Sequence, residues 1–332
     1  MAAYTTIDDP SVYFQVKLYT GDGSTPSITL DGGTDMQPDF VWIKNRDAAD
    51  FNCIFDSVRG AGNLIYSNFN GTGFVTDADT LTSFDSDGFA LGADVKVNTN
   101  TEAYVAWCWK ESATSGFDIV TYTGTGSARN ISHALSAVPH LVIVKADEGQ
   151  SINVYHHKNT SEPETDLLEL DEKNPTADNA TVWDDTAPTS SVFTVGTKDS
   201  VNKDGIDMIM YLWSGKQGFS KFGGYVGNGN ADGTFVYTGF RPAYILIKNN
   251  TAGEKWEIFD NKRDGYNDAN RILYTDTADA EPAASDRIRF CANGFKAVTT
   301  GSHVNESGST IIYAAFAEAP FVNSNGVPCN AR

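Results

Sequence analysis

The sequence predicts an all-β protein made of three tandem, diverged β-sandwich-like repeats of roughly 100 residues each. Four short marks recur in the same order along the chain, apolar and polar residues alternate with period two beside the first mark, and no long stretch has the 3.6-residue period of an amphipathic helix.

The first mark is a tyrosine followed by glycines. It reads YTGDG from Tyr19, YTGTG from Tyr122 and YVGNG from Tyr225, 103 residues apart each time. The second is PDFVWIK from Pro38, PHLVIVK from Pro139 and PAYILIK from Pro242, spaced 101 and 103. The third is Val97-Asn98, Val201-Asn202 and Val304-Asn305, spaced 104 and 103. The fourth pairs an aromatic with a polar residue: Phe55-Asp56, Tyr155-His156 and Phe259-Asp260.

A period near 103 is too long for a solenoid unit, usually ~20–50 residues. It suits a self-contained sandwich. Tandem domains are the first reading, and one large domain with internal pseudo-symmetry is the second. The expected divisions are an N-terminal arm over 1–12, repeats over 13–115, 116–217 and 218–321, and a tail over 322–332. Trp109 and Phe117, in neighbouring repeats, are separated by only seven residues. Such short links predict a rigid rod or a compact triangle.

Within a unit the elements follow in order. Phe14, Val16 and Leu18 alternate with polar neighbours, giving an opening strand with one apolar face. The glycines after the tyrosine supply a turn. From Phe219 to Tyr225 is one residue longer than from Phe117 to Tyr122, and a bulge at Gly223-Gly224 is expected to absorb the difference. The proline-led runs Phe40 to Ile43, Leu141 to Val144 and Tyr244 to Ile247 are apolar throughout, so both faces should be covered. Lys44, Lys145 and Lys248 are expected to mark where these strands meet water, snorkelling rather than binding a ligand. Aromatic-rich strands over 104–109, 208–213 and 313–316 close the units. One short helical turn is expected, over Glu164 to Glu172.

Hydrophobic residues at 40% suffice for real cores, and a net charge of −19 repels nucleic-acid backbone and anionic lipid. The start MAAYTTIDDP does not read as a secretory signal, and the longest apolar run, Ile311 to Ala317, is too short to span a bilayer, which needs ~20 residues. Nucleic acid and membrane insertion are therefore not expected. Cys53, Cys108, Cys291 and Cys329 form no C-x-x-C pair, which predicts folding in a reducing compartment. Residues 218–321 carry net −2 against −8 for each of 13–113 and 117–217, so the last repeat is expected to face a partner subunit.

Candidate chemistry is sparse. Asp77/Asp79, Asp85/Asp87 and Asp184/Asp185 are carboxylate pairs of the type a glycosidase uses, but they read as solvated loop acids. Asp85-Ser86-Asp87-Gly88 resembles the opening of a calcium loop and lacks the later ligands. His156 and His157 are adjacent and, on a strand, point to opposite faces, which is poor geometry for one metal. Trp42, Trp107, Trp109, Trp213 and Trp256 fall in expected strands and read as core; Trp183 is the best candidate for an exposed ring, but packing is its first reading too. No catalytic, cofactor or metal residue is assigned, and any ligand-binding residues are unassigned.

The segments PDFVWIKNRD (Pro38 to Asp47), TSFDSDGF (Thr82 to Phe89), YVAWCWK (Tyr104 to Lys110), GFSKFGGYVGNGNADG (Gly218 to Gly233) and IYAAFAEAPF (Ile312 to Phe321) resemble a β-rich repeat family of tailed-bacteriophage virion structural proteins. That family occurs in phages of marine bacteria and cyanobacteria. The likeness runs from about Tyr13 onward; the middle unit departs most, with VFTVG at Val192 against GFALG at Gly88. It implies a tail-fibre-like particle component that contacts the host surface, assembled in the host cytoplasm. Its implied partners are other virion proteins, copies of itself (a trimer by analogy with fibres and spikes) and a host-surface glycan. It brings no catalytic residues to carry over. Alternatives are a capsid decoration or baseplate protein, and a glycan-binding or glycan-degrading spike domain.

Overall fold

In a computed structural model describing residues 4–265, 267–282 and 287–329, the four marks build the same strand order three times. In the first unit the opening strand Phe14–Thr20 pairs with the closing strand Ala103–Trp109. Then come the proline-led strand Phe40–Asn45, Cys53–Asp56, Asn63–Tyr66 and Val75–Thr76. In the second unit the order is Phe117–Thr123, Asp207–Trp213, Leu141–Ala146, Asn153–His156, Asp166–Glu169 and Ala177–Asp178. In the third it is Ser220–Val226, Thr310–Pro320, Phe240–Asn249, Glu257–Asp260 and Leu273–Tyr274. With strand at 40% and helix at 7%, the protein is all-β.

Each large sheet is buried on both faces. One face meets a small outer sheet of the same unit: Ser27–Ile28 with Gly88–Leu91 and Leu81–Asp85, Arg129–Ser132 with Val192–Val195, and Phe235–Tyr237 with Gly294–Ala297 and Ile288–Cys291. The core between them is private to the unit, as with Val41, Phe55, Phe89 and Cys108 in the first. The other face joins a cluster shared by all three units. Alternation divides the closing strand: Trp107 and Trp109 enter the shared cluster, while Tyr104 and Cys108 enter the private one. Trp109 lies 6.4 Å from Trp213 of the second unit and 5.4 Å from Tyr244 of the third, ring centre to ring centre. Burying each such side chain contributes roughly 1.5–3 kcal/mol.

The first and third marks are two halves of one contact. Tyr19, Tyr122 and Tyr225 donate through Oη to the carbonyls of Val97, Val201 and Val304, at 2.8, 2.5 and 2.6 Å. Those valines sit in four-residue helices, Val95–Asn98, Asp199–Asn202 and Ser302–Asn305. The asparagine that follows clamps the glycine turn: Asn202 accepts from the Thr125 amide and donates to the carbonyls of Ser127 and Gly196. The glycines divide the labour. A Cβ on Gly21, Gly124 or Gly227 would lie 2.1 Å from the carbonyl oxygen of Thr99, Lys203 or Glu306. Positive φ falls instead on the second glycine, at 66°, 65° and 64° for Gly23, Gly126 and Gly229.

Three expectations are corrected and one, for Trp183, is met. The opening strand of the third unit has no bulge: Ser220, not Phe219, takes the place of Phe14 and Phe117, and pairing to Thr310–Pro320 runs unbroken from Ser220 to Val226. The register shifts lie around Pro242, whose missing N–H cannot join the ladder. Glu164 to Glu172 is not a helical turn but a 3-10 turn, Pro163–Thr165, leading into strand Asp166–Glu169. Leu168 and Leu170 alternate into the shared cluster, a period-two pattern. Lys44, Lys145 and Lys248 do not reach water; they are at most 1% exposed. Lys44 Nζ donates to the carbonyls of Ala48, Asp50 and Ala278 at 2.9–3.2 Å. Lys145 serves Glu148 and Gln150, and Lys248 serves Lys173 and Glu254. Burial pulls all three ammonium groups down to about 8. Trp183 takes the packing role expected of it, fully buried in the second unit's private core with its Nε1 donating to the Asp166 carbonyl at 2.9 Å.

Candidate functional site

The polar residue of the fourth mark stands at the seam with another unit. Asp56 Oδ2 accepts from Tyr211 Oη at 2.7 Å, and Asp260 Oδ2 accepts from Trp107 Nε1 at 3.1 Å. His156 Nε2 lies 3.1 Å from the Tyr313 carbonyl. The seams therefore run first to second, second to third and third to first. Loops seal the last of them: Asn52 Nδ2 donates to the carbonyls of Tyr274, Thr275 and Thr277, and Arg46 pairs with Glu281 at 2.9 Å.

Charge at this mark changes in pairs. Asp56 with Arg59 and Asp260 with Arg263 form buried ion pairs, each at 2.6 Å. The second unit has His156 and Asn159 at the same two places, so both charges are absent together. The strand facing His156 explains the exchange. Where the others offer Trp107 and Tyr211, strand pairing places Ala314, which has no side-chain donor. An aspartate there would have no cross-seam donor, whereas the imidazole meets a backbone carbonyl.

One groove is lined by aromatic rings open to solvent. It runs in the third unit between the edge strand Ser220–Val226 and the outer strand Phe235–Tyr237. A cavity of about 580 Å³ there is lined by Phe222, Tyr225, Phe235, Tyr237, Lys158 and Lys221, among others. An adjoining cavity of about 390 Å³ shares Lys221, Phe222 and Tyr237 and continues past Lys216 and Tyr4. Phe235 and Tyr237 are 46% and 48% exposed, while Val236 between them is buried. Tyr237 is held in place: its Oη lies 3.2 Å from Tyr4 Oη, and Lys221 Nζ sits 5.3 Å from its ring centre. No sequence signal singled out this groove beyond the two-residue spacing of Phe235 and Tyr237.

The residues singled out in the sequence are scattered. Asp85 and Asp87 flank a hairpin turn, where Asp87 Oδ1 accepts from the Met36 amide at 3.3 Å. Asp77 accepts from the Asp79 amide at 3.1 Å, and Asp184 and Asp185 have φ of 55° and 46° after the short helix Ala180–Trp183. Among the described residues, no group of three or more His, Cys, Asp or Glu side chains is placed to hold a metal ion. His140 and His157 stack at 4.1 Å, and His156 and His157 are directed to separate carbonyls, of Tyr313 and Phe222. A carboxylate pair that the sequence did not flag is Glu111 with Asp118. Burial first, and the neighbouring Asp118 second, push Glu111 up to about 7. Both groups hold backbone: Glu111 Oε1 accepts from the Ile119 amide at 3.1 Å, and Asp118 Oδ2 from the Ala134 amide at 2.5 Å.

Fold and groove define an all-β protein with sandwich packing, three large sheets around a common interior and, among the described residues, an open groove lined by aromatic rings. Residues 9–320 match the family described as "Domain of unknown function (DUF7483)", and the chain belongs to that family. The match spans all three units. No curated protein matches the chain.

Proposed function

We propose that this chain is a non-catalytic structural protein of a tailed-bacteriophage particle, a tail-fibre or spike component that contacts the host surface as a homo-oligomer beside other virion proteins. The sequence resemblance supports the particle. The observation that carries surface contact is the third-unit groove, with Phe235 and Tyr237 open to solvent. Four free thiols agree with assembly in a reducing host cytoplasm. A trimer is the expected copy number by analogy with fibres and spikes. Capsid decoration or a baseplate position is the alternative within the same class. A glycan-degrading spike is the competing class; it needs a carboxylate pair in a groove, and Glu111 and Asp118 line neither cavity described above.

Immunogold labelling of intact particles with an antibody to this chain is the test. Label at fibre tips supports host contact, and purified protein should then block adsorption. Label over the capsid moves the assignment to decoration. Absence from labelled particles and from the particle proteome overturns the virion assignment.

A further inference from the structure

We infer that the third-unit groove is a binding site for an anionic oligosaccharide, one bearing carboxylate or sulfate groups on its sugar rings. Its biological meaning as host contact rests on the function proposed above; its chemistry does not.

The other two units supply an internal control. Strand pairing aligns buried Val236 with Ile28 and Ile131, each opposite the phenylalanine of its partner strand (Phe295, Phe89 and Phe193). The flanking, outward positions are Ser27 and Thr29 in the first unit and Asn130 and Ser132 in the second. Only the third unit has Phe235 and Tyr237 there. The same fold is thus built twice with small polar residues at these places, so packing does not require the rings. The edge strand differs in the complementary sense. Gly223-Gly224 replaces Lys17-Leu18 and Val120-Thr121, and the Tyr313 ring stands where a side chain on Gly223 would otherwise lie.

Charge sets the ligand class. The chain carries −19 overall, yet the side chains lining the two cavities include Lys158, Lys216 and Lys221 and no Asp or Glu. A cationic groove on an acidic body selects an anion. Flat rings with ammonium donors suit a sugar face carrying an acidic substituent. They suit an added peptide strand less well, because such a strand needs free ladder groups on the edge. Here the edge is already bridged to the outer strand: Lys221 Nζ donates to the Tyr237 carbonyl at 2.6 Å, and Thr234 Oγ1 to that of Val226 at 3.0 Å.

Titration calorimetry of the full chain with a short oligogalacturonate, and with a neutral maltooligosaccharide as control, tests the site. The expected result is binding of the uronate that weakens with salt and exceeds binding of the neutral sugar. Y237A and K221Q should each weaken it roughly tenfold, about the worth of one aromatic or charge-assisted contact. F51A, at an exposed ring outside the groove, should leave it unchanged, and circular dichroism confirms that each variant is folded. No uronate binding, or binding indifferent to Y237A and K221Q, overturns the inference. So does tighter binding of poly-glutamate, or an oligomer that Y237A dissociates, since a peptide or a second copy would then occupy the groove. Particle labelling is a separate result, so failure of either leaves the other standing.

Discussion

Arg263 donates from Nε to Asp260 Oδ2 at 2.6 Å, and both side chains are sealed from solvent. The same carboxylate oxygen accepts from Trp107 Nε1 of the first unit, and Arg263 reaches Glu281 at 3.1 Å. Removing one partner strands a buried charge. D260A and R263A should each cost about 3–5 kcal/mol in urea unfolding. The double variant should cost clearly less than their sum, because the stranded charge is then absent. Strict additivity would show that the pair is not coupled.

The tyrosine tie predicts a graded pair of effects in the second unit. Y122F removes one donor to the Val201 carbonyl and should cost about 1 kcal/mol. G124A drives a methyl toward the Lys203 carbonyl, 2.1 Å from its Cβ, and should cost about 1–3 kcal/mol through forced backbone shifts. Chemical denaturation of the two variants ranks them; a G124A as stable as wild type would refute the close approach.

The histidines at the second seam predict acid sensitivity. Burial, then the charges of His157 and Lys158, hold His140 down at about 4, and burial holds His156 down at about 3. The unfolded value is 6.5. Below it the unfolded chain takes up protons that the folded chain refuses, so the histidine contribution is full above pH 6.5 and is lost as pH falls toward 4. Buried Asp171 and Glu257, raised to about 7 and 8, act in the opposite sense. The clean measurement is therefore a difference: the stability advantage of wild type over H140Q should shrink as pH falls from 7 to 4. A constant difference would rule out His140 as a contributor.

The shared cluster predicts one calorimetric unfolding transition for the whole chain, not three. Asn52 joins the first unit to three carbonyls of the third. N52A should lower that single transition by about 1–3 kcal/mol of stability, without splitting it, and should raise amide exchange around Thr275. Separate transitions would mean that the units stand alone.

Much of this was legible in the residues. Period two placed Trp107 and Trp109 on one face, and unbroken apolar runs placed the proline-led strands inside. What escaped depended on partners far away in the chain. Lys44 reads as a strand end because its carbonyl acceptors come from a loop of its own unit and from Ala278. Trp183 sits among Asp, Thr and Pro, and only the fold brings Tyr155 and Phe193 against it. Phe219 reads as the counterpart of Phe117 because both are aromatic, but strand pairing gives that place to Ser220. The groove was illegible because its test is comparative: Phe235 and Tyr237 become unusual only once strand pairing shows that they take the places of Ser27 and Thr29 in the first unit and Asn130 and Ser132 in the second.

The third-to-first seam also sets an order of events at the ribosome. Ser67 donates to the Thr275 carbonyl, and Phe14 packs on Tyr244 and Phe316. Until more than 300 residues have emerged, the nascent chain carries an unsealed apolar flank on its earliest-made sheet, and closure waits on contacts of long sequence separation, which form slowly. A chain terminated before its final strand would be left with that flank bare, a sticky intermediate rather than a smaller version of the finished molecule.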